Sequence, residues 1–413
     1  MASLQGRPSH TKSIGAFRVP FAILSLILLL IFHPSASQAQ SFFASLVVDP
    51  TVGADRGSAS QLQKVEETTS FLTFSTTGSE EAGPVILGYG IGVPDLVMPG
   101  DQLDGVAVWG GPSEDGWREL LAGGVAYRFP VSGLESVGFI NVDYGDLVLG
   151  TTETLALDVR GDRLQVAAGL IHERELGNEA ELKFGVELIA RDLGSELLGV
   201  PVIDEKLRML RASVLYTKGI PLLFQQRLAA SLTKGFSAFG ASSESNPFAS
   251  VPGATTDFLR VSVAAEASVP LSREWVVNAG VIGQWTDQRL PASQRCGFET
   301  NAYARGFDYA TVIGDRCIGT RVELAYNFEL PAPERSRTVF TQGFVGIDGG
   351  RIDTVATPLF PGNKDSWSSM SVGVRSLRGN FLGEVAATRI LDRPSGTEAQ
   401  DDNRIWIRAA LKF

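Results

Sequence analysis

From about residue 67 onward, apolar and polar positions alternate in segments of about ten residues, and clusters of Gly, Pro, Asp, Asn and Ser separate one segment from the next. Successive side chains of a β-strand point to opposite faces, so each segment reads as a strand with one apolar and one polar side. The last segment is the clearest. Ile405, Ile407, Ala409, Leu411 and Phe413 alternate with Arg404, Trp406, Arg408 and Lys412, and the chain stops on the aromatic. One face is a continuous apolar ribbon and the other is cationic and polar, which suits lipid outside and a wet lumen inside.

A strand of a soluble sandwich can alternate in the same way, but a final strand that ends on a C-terminal Phe is the usual close of a bacterial outer-membrane barrel. Trp406 and Phe413 therefore mark the expected C-terminal barrel signal. The alternation places strands at Phe71–Thr77, Val85–Val93, Leu103–Trp109, Glu119–Phe129, Ser136–Tyr144, Leu155–Ile171, Glu181–Arg191, Leu207–Thr217, Leu223–Thr233, Phe258–Ser268, Trp275–Thr286, Thr320–Phe328, Val339–Ile347, Ser368–Val374, Phe381–Ala387 and Arg404–Phe413. These are sixteen, an even number as single-chain bacterial barrels require, and the fold expected is an all-β, sixteen-stranded antiparallel transmembrane β-barrel. The connections alternate as well. Short ones at 130–133, 218–221, 270–273 and 376–379 read as periplasmic turns, and long ones at 237–256, 290–319, 349–365 and 391–403 read as surface loops.

Residues 1–39 have the form of a secretory signal: Arg7, Lys12 and Arg18 precede an apolar run from Phe21 to Phe32, and Ser37-Gln38-Ala39 supplies small residues for cleavage. The run is shorter than a bilayer-spanning helix needs, so the mature chain is expected to begin near Gln40. Residues 40–66 carry no amphipathic pattern of useful length and read as a flexible N-terminal tail, leaving 67–413 for the barrel. No later apolar stretch is long enough to cross a membrane as a helix, although 44% of the chain is hydrophobic, so a membrane-embedded chain has to close into a barrel. Loss of the leader, with three cations and no acids, moves the net charge from −10 to −13, and so acidic a chain argues against nucleic acid as a partner.

Catalysis finds little support. Of three histidines, His10 and His33 lie in the leader, and His172 sits in the charged stretch Ile171-His172-Glu173-Arg174, which reads as a turn. No nucleophile motif surrounds it, and a zinc site needs several N or S ligands, so neither a catalytic nor a metal site is expected and no cofactor is implied. Gly88-Tyr89-Gly90-Ile91-Gly92 lacks the helix that a phosphate-cradling loop needs. Its period-two glycines instead face one side of a strand and leave room for something packed on that wall.

The most specific pattern lies in the longest expected loop. It runs Leu290-Pro291-Ala292-Ser293, then Tyr303-Ala304-Arg305-Gly306-Phe307-Asp308, then Gly314-Asp315-Arg316, and passes directly into Arg321-Val322-Glu323-Leu324. This resembles the sixth surface loop of two-partner-secretion transporters, the TpsB family of haemolysin secretion and activation proteins and relatives of the BamA assembly factor. The resemblance extends over roughly Phe71 to Phe413. It implies a loop folded back into the lumen, with the Arg of its Val-Arg-Gly-Phe/Tyr tip paired to an Asp on the wall. Phe344-Val345-Gly346-Ile347-Asp348-Gly349-Gly350-Arg351 is similar to the strand motif that supplies this Asp, so the resemblance implies an Arg305–Asp348 pair, with Phe344 and Gly350 completing the wall motif. Pro99-Gly100-Asp101-Gln102-Leu103 is similar to the family's Gly-Asp-x-Leu turn near the barrel start. Ala304 stands where Val or Ile is usual, which implies looser packing of the tip.

The pairing makes physical sense beside the resemblance, because the planar guanidinium fork suits a carboxylate in a bidentate arrangement. Gly306 permits a tight turn that a residue with a Cβ resists. Cys296 and Cys317 bracket the tip, and an even pair in an exported chain reads as a disulfide rather than a metal site.

The family's transporters carry two periplasmic POTRA domains ahead of the barrel, whereas about 27 residues separate Gln40 from the first strand here, too few for one such domain. The glycines and the Arg–Asp lock that the resemblance implies favour an outer-membrane polypeptide translocase or insertion factor that moves an unfolded client without chemistry, whereas the missing domains favour a different reading. The alternative is a passive outer-membrane pore or structural barrel that keeps the loop as a constriction. The partners implied are outer-membrane lipid, an exported or inserted polypeptide, and the barrel-assembly machinery during biogenesis.

Overall fold

A computed structural model describes residues 67–413 except 79–82, 113–116, 134–135, 149–157, 159, 221–223, 244–245, 299–302, 308–311, 330–338, 396 and 398–400. The leader, the N-terminal tail and Asp308 lie outside the described residues. In chain order the strands are β1 (Thr69–Ser75), β2 (Val85–Pro94), β3 (Gln102–Gly111), β4 (Leu120–Val131), β5 (Ser136–Val148), β6 (Arg160–Gly177), β7 (Ala180–Leu197), β8 (Val200–Ile220), β9 (Phe224–Gly235), β10 (Leu259–Pro270), β11 (Trp275–Thr286), the two-residue β12 (Cys296–Gly297) and β13 (Ile313–Gly314), then β14 (Arg316–Glu329), β15 (Val339–Thr354), β16 (Asn363–Arg378), β17 (Phe381–Asp392) and β18 (Asn403–Lys412). All but β12 and β13 form one closed antiparallel barrel in chain order, with β18 returning to pair with β1 from Phe71↔Lys412 to Ser75↔Arg408. Closure leaves no open sheet edge, which is what lets strands cross hydrocarbon.

Alternation sets the two faces. On β18, Ile405 and Ile407 face outward, and Trp406 is fully buried inside against Ala325, Phe344 and Ala386. On β15, Val345 and Ile347 face outward between Phe344, Gly346 and Asp348 on the inside. Two aromatic girdles bound the outer apolar band. At the short-turn end, Trp275 meets Tyr326 at 4.9 Å between centroids and Tyr127 stacks on Phe129 at 5.7 Å; at the long-loop end stand Tyr144 and Trp285. This is the lateral profile of a bilayer-spanning barrel. The lumen is polar, with Arg128 donating to Asp104 at 2.8 Å and Arg211 to Glu187 at 3.2 Å.

The structure differs from the sequence expectation in strand length. β6 runs on to Gly177, so His172 is not in a turn: it pairs across with Ser136, whose Oγ lies 3.3 Å from its Nδ1. Charged residues disguise the continuing strand, because Glu173 and Lys183 pair across β6 and β7 at 2.9 Å rather than marking a break. Likewise, the strands expected to end at Arg191 and to begin at Leu207 continue as β7 and β8 into a tall hairpin. It is turned by Leu198 (φ 52°) and Gly199 (φ 74°), both in the positive-φ conformation of tight hairpin turns.

The glycine-rich strand β2 presents Gly88, Gly90 and Gly92 to the interior. What packs on that wall is its neighbour β1: a Cβ at Gly90 would fall 1.8 Å from the Phe71 ring, and one at Gly88 would fall 2.5 Å from the Thr73 hydroxyl. The Pro99–Leu103 turn is organised by one carboxylate. Asp101 accepts from the amides of Leu96 (2.7 Å), Val97 (2.9 Å) and Met98 (2.9 Å) and from the Tyr127 hydroxyl (2.6 Å). Burial pushes its carboxyl upward, but the Tyr127 hydroxyl and the Met98, Val97 and Leu96 amides outweigh this and hold it below the ordinary value of 3.8. A depressed folded value contributes stability that is present above the unfolded value and is lost as pH falls through the folded one. Hydrogen exchange at Leu96, Val97 and Met98, taken relative to the intrinsic amide rate at each pH, is therefore expected to be slow at neutral pH and to accelerate in acid. In Asp101→Asn it should be fast at every pH, whereas unchanged protection in that variant would remove the carboxylate from this role.

Candidate functional site: a loop docked in the lumen

Between β11 and β14 lie 29 residues, positions 287–315, and those of them that the structure describes turn inward. Their base is fastened first. Asp315, fully buried, accepts from the amide of Leu290 (3.0 Å) and from Arg295 Nε (3.1 Å) through one oxygen and from the amide of Val355 (2.7 Å) through the other. Guanidiniums on the wall hold the carbonyls of the next stretch, Arg191 that of Ser293 at 2.9 Å and Arg260 that of Gln294 at 3.0 Å. The Cys296–Cys317 disulfide, spanning 21 positions of sequence, ties the descending limb to β14. Closing a loop of this length contributes about 3 kcal/mol in the chain-entropy account.

Below the disulfide, the loop follows the inward face of β14. Period two puts Cys317, Gly319, Arg321 and Glu323 on that face, and loop side chains meet them in order. Phe298 fills the space over Gly319, where a Cβ would fall 2.1 Å from the ring. Tyr303 lies under the Arg321 guanidinium at 5.3 Å. Arg305 Nη1 then donates to Glu323 Oε2 at 3.0 Å and to Ser371 Oγ at 3.1 Å, halfway along the strands of the wall. Phe298, Tyr303, Ala304, Phe307 and Val312 form a buried cluster with Ile352, Trp367 and Ile390. Phe307 meets Trp367 edge-on at 6.1 Å.

Arg305 and Asp348 come together, but not as the resemblance implied. Asp348 Oδ2 accepts from the backbone N–H of Arg305 (3.2 Å) and from the Ser369 hydroxyl (2.7 Å), and the guanidinium passes on to Glu323. Side-chain reach decides this. The interior face of β15 reads Phe344, Gly346, Asp348, Gly350, Ile352, and the bare Gly346, opposite Glu323 in register, lets the guanidinium slide over it; a Cβ there would be 3.5 Å from Nη1. The longer glutamate then captures the charge, and the shorter aspartate is left to cap the turn. Glu323 also takes Arg375 and, at 2.9 Å, Asn278 Nδ2. Both guanidiniums face Phe344, Arg305 at 5.4 Å and Arg375 at 4.7 Å from the ring centroid.

The tip itself is a turn closed by the Phe307 N–H on the Ala304 carbonyl at 2.9 Å. The residue with positive φ is Ala304 (55°), not Gly306. Gly306 serves close approach: a Cβ there would fall 3.0 Å from both Ile390 Cγ1 and Ser369 Cβ, tighter than ordinary contact. Ala304 is fully buried, so the tip is not loosely packed at this position. A β-branched side chain is poorly tolerated at positive φ, and Ala304→Val is expected to weaken docking of the tip by about 2 kcal/mol. Limited proteolysis at the loop in folded protein measures this: faster cleavage than wild type is the expected result, and Ala304→Gly should cleave like wild type.

The sequence reading did not single out Glu323, Ser369, Ser371, Arg375 or Arg404 as site residues. Arg404 Nη1 donates to the Phe307 carbonyl at 2.8 Å and Nη2 to that of Gly78 at 2.7 Å, joining the tip to the β1–β2 connection from the last strand. The available signal was parity: each occupies an inward position on a strand whose other face is apolar, where a charge needs a partner inside the lumen.

A closed sixteen-stranded antiparallel barrel with an apolar outer face banded by aromatics is the architecture of an integral outer-membrane protein. The family model for the haemolysin secretion/activation protein ShlB/FhaC/HecB matches residues 141–376, more than half of the chain, and the chain belongs to that family. Among solved structures it is similar to CdiB from Escherichia coli (17% identity, TM-score 0.69, covering 85% of this chain and 64% of that one). It is also similar to CdiB from Acinetobacter baumannii (15%, 0.65, 85% and 61%). A third likeness is to BamA from Haemophilus ducreyi lacking POTRA domains 1-3 (12%, 0.56, 85% and 71%). The chain thus spans less than two thirds of the two CdiB chains. Comparison with curated proteins finds no match. The protein is an integral β-barrel of the Gram-negative outer membrane.

Proposed function

We propose that this barrel conducts an unfolded polypeptide across or into the outer membrane and that the 287–315 loop is its resting plug. The observation that carries this reading is the mid-lumen docking of Arg305, which is almost completely buried and is held by reversible polar contacts rather than covalently. Family membership supports the same reading. The step needs no bond chemistry: the tip leaves Asp348, Ser369 and Glu323, the lumen widens, and an extended client passes. The client is a secreted or inserted polypeptide, and the barrel-assembly machinery would insert the barrel itself, with Phe413 ending its last strand.

Arg305→Ala tests it. In planar bilayers the variant should spend more time open than wild type. In cells it should insert normally yet lose export of a co-expressed client. A second reading, a passive pore with a fixed constriction, is favoured by the fastening of the loop's base through Asp315 and the Cys296–Cys317 bond. Altered conductance with undiminished client export would select it and overturn the translocation reading.

A further inference from the structure

Four consecutive strands each place a cation on the lipid face near the long-loop end: Arg316 on β14, Arg351 on β15, Lys364 on β16 and Arg389 on β17. Their faces are fixed by parity with the apolar positions Ile318, Ile347, Met370 and Leu391. Arg316 opens β14 and lies 5.8 Å from the Trp285 ring, at the level of the girdle where a lipid-facing charge is cheap; Lys364 is the second residue of β16, and Arg351 and Arg389 lie three residues short of the long-loop ends of β15 and β17. Strand register arranges rows beneath it. Arg316, Asp353 and Lys364 lie side by side, then Ile318, Arg351 and Ser366, then Thr320, Gly349 and Ser368, and only below these does the row Val322, Ile347, Met370 restore the apolar band, with Arg389 beside Met370. A shallow, small and polar area edged by cations thus interrupts an otherwise greasy wall.

Elsewhere at this end several cations of the barrel are paired with neighbouring acids: Arg118 with Asp146 (2.9 Å), Arg160 with Asp158 (2.9 Å), Arg208 with Asp192 (2.7 Å), and Lys234 with Asp257. Within the group, Arg316 pairs with Asp287 at 3.2 Å and Arg351 with Asp353 at 3.1 Å, and Asp392 accepts from Ser366. Among the described residues, Lys364 and Arg389 have no acidic partner. Arg351 remains 57% exposed at its side chain, and Arg316 37%.

We propose that this face of β14–β17 binds the phosphorylated headgroup of an outer-leaflet glycolipid, with Arg351 and Arg389 as its principal phosphate ligands. The planar guanidinium fork matches a phosphate bidentately, the Thr320, Gly349 and Ser368 row leaves space and hydroxyls for the sugar, and the apolar row below receives acyl chains. The inference uses only the membrane location and the outward orientation of the long loops, not the transport reading.

The test uses the full barrel folded into phosphatidylcholine vesicles, with or without a minor fraction of lipid A carrying both phosphates. The readout is the temperature at which the compact form is lost on cold gels. Wild type should gain about 4 °C from lipid A, consistent with ligand linkage. Arg351→Gln/Arg389→Gln should lose the gain, Arg208→Gln should keep it, and dephosphorylated lipid A should give none. A gain that survives in the double variant, or that does not require the phosphates, overturns the proposal. Should the double variant fold poorly, native mass spectrometry of the wild-type barrel decides: retention of lipid A over phosphatidylcholine supports the site, and equal retention removes it.

Discussion

Glu323→Gln is expected to unplug the barrel more completely than Arg305→Ala, although only the second removes a residue of the plug. Glu323 serves two guanidiniums and an amide, and the substitution leaves Arg305 and Arg375 on the same Phe344 ring with no carboxylate between them. The next interior acid, Glu384, is already bonded to Arg408 at 2.5 Å. Removing one partner of a buried ion pair costs roughly 3 to 5 kcal/mol, less where water reaches the lumen. Arg305 can escape that cost by leaving with the tip, whereas Arg375 is fixed to the wall. In Arg305→Ala, by contrast, Glu323 keeps Arg375 and Asn278, so the wall loses no countercharge and docking weakens by about 2 kcal/mol, the worth of a charged hydrogen bond. Each 1.4 kcal/mol is about tenfold in the open-to-closed ratio. Single-channel recording of the two variants side by side measures the difference. Equal open fractions, or a larger one for Arg305→Ala, would show that Glu323 is not the carboxylate that retains the plug.

Gly350→Val is the second large expectation, and it acts through shape alone. A Cβ at Gly350 would stand 2.2 Å from the Ile318 carbonyl oxygen and 3.0 Å from both Gly319 Cα and the Trp367 ring. The first two are backbone of the neighbouring strand and cannot rotate away, and Trp367 is pinned between Phe298 and Phe307. Overpacking of this kind costs about 3 kcal/mol, and it should separate β14 from β15 beside the docked tip. Denaturant midpoints of refolded barrel in detergent check it. Gly105→Ala is the control, since its Cβ would meet only Ile91 at an ordinary 3.4 Å and should shift stability by less than about 0.5 kcal/mol. A Gly350→Val midpoint equal to that of the control would contradict the close packing described here.

The barrel was legible in the sequence because its determinant is local. Two-residue periodicity fixes which side chain faces lipid, and sixteen periodic segments close in chain order without any crossover. Strand ends were less legible. On β6, Glu173, Arg174 and Glu175 look like a turn by composition, yet β7 supplies Lys183 across from Glu173, and cross-strand pairing lengthens the strand. The wall motif was legible as a motif, with Asp348 and Gly350 on one interior face. The partner of the Arg305 charge was not, because it depends on the depth to which the loop descends and on a bare Gly346 that lets a guanidinium cross to β14. Tertiary reach of this kind leaves no spacing to read. Glu323 was nonetheless visible as an interior acid immediately after the loop, and Ala304 shows the reverse case, since a small residue in the tip marks a left-handed backbone rather than slack.

The Tyr303–Phe307 tip rests inside the barrel against β15, β16 and β17. Replacing Phe307 with a photoreactive phenylalanine analogue, irradiating intact outer membranes and mapping the internal cross-link by mass spectrometry tests this most directly. Cross-links are expected to the β16 and β17 peptides around Trp367 and Ile390. Cross-links to lipid, to other proteins or to the outer surface loops, with none to those peptides, would contradict it.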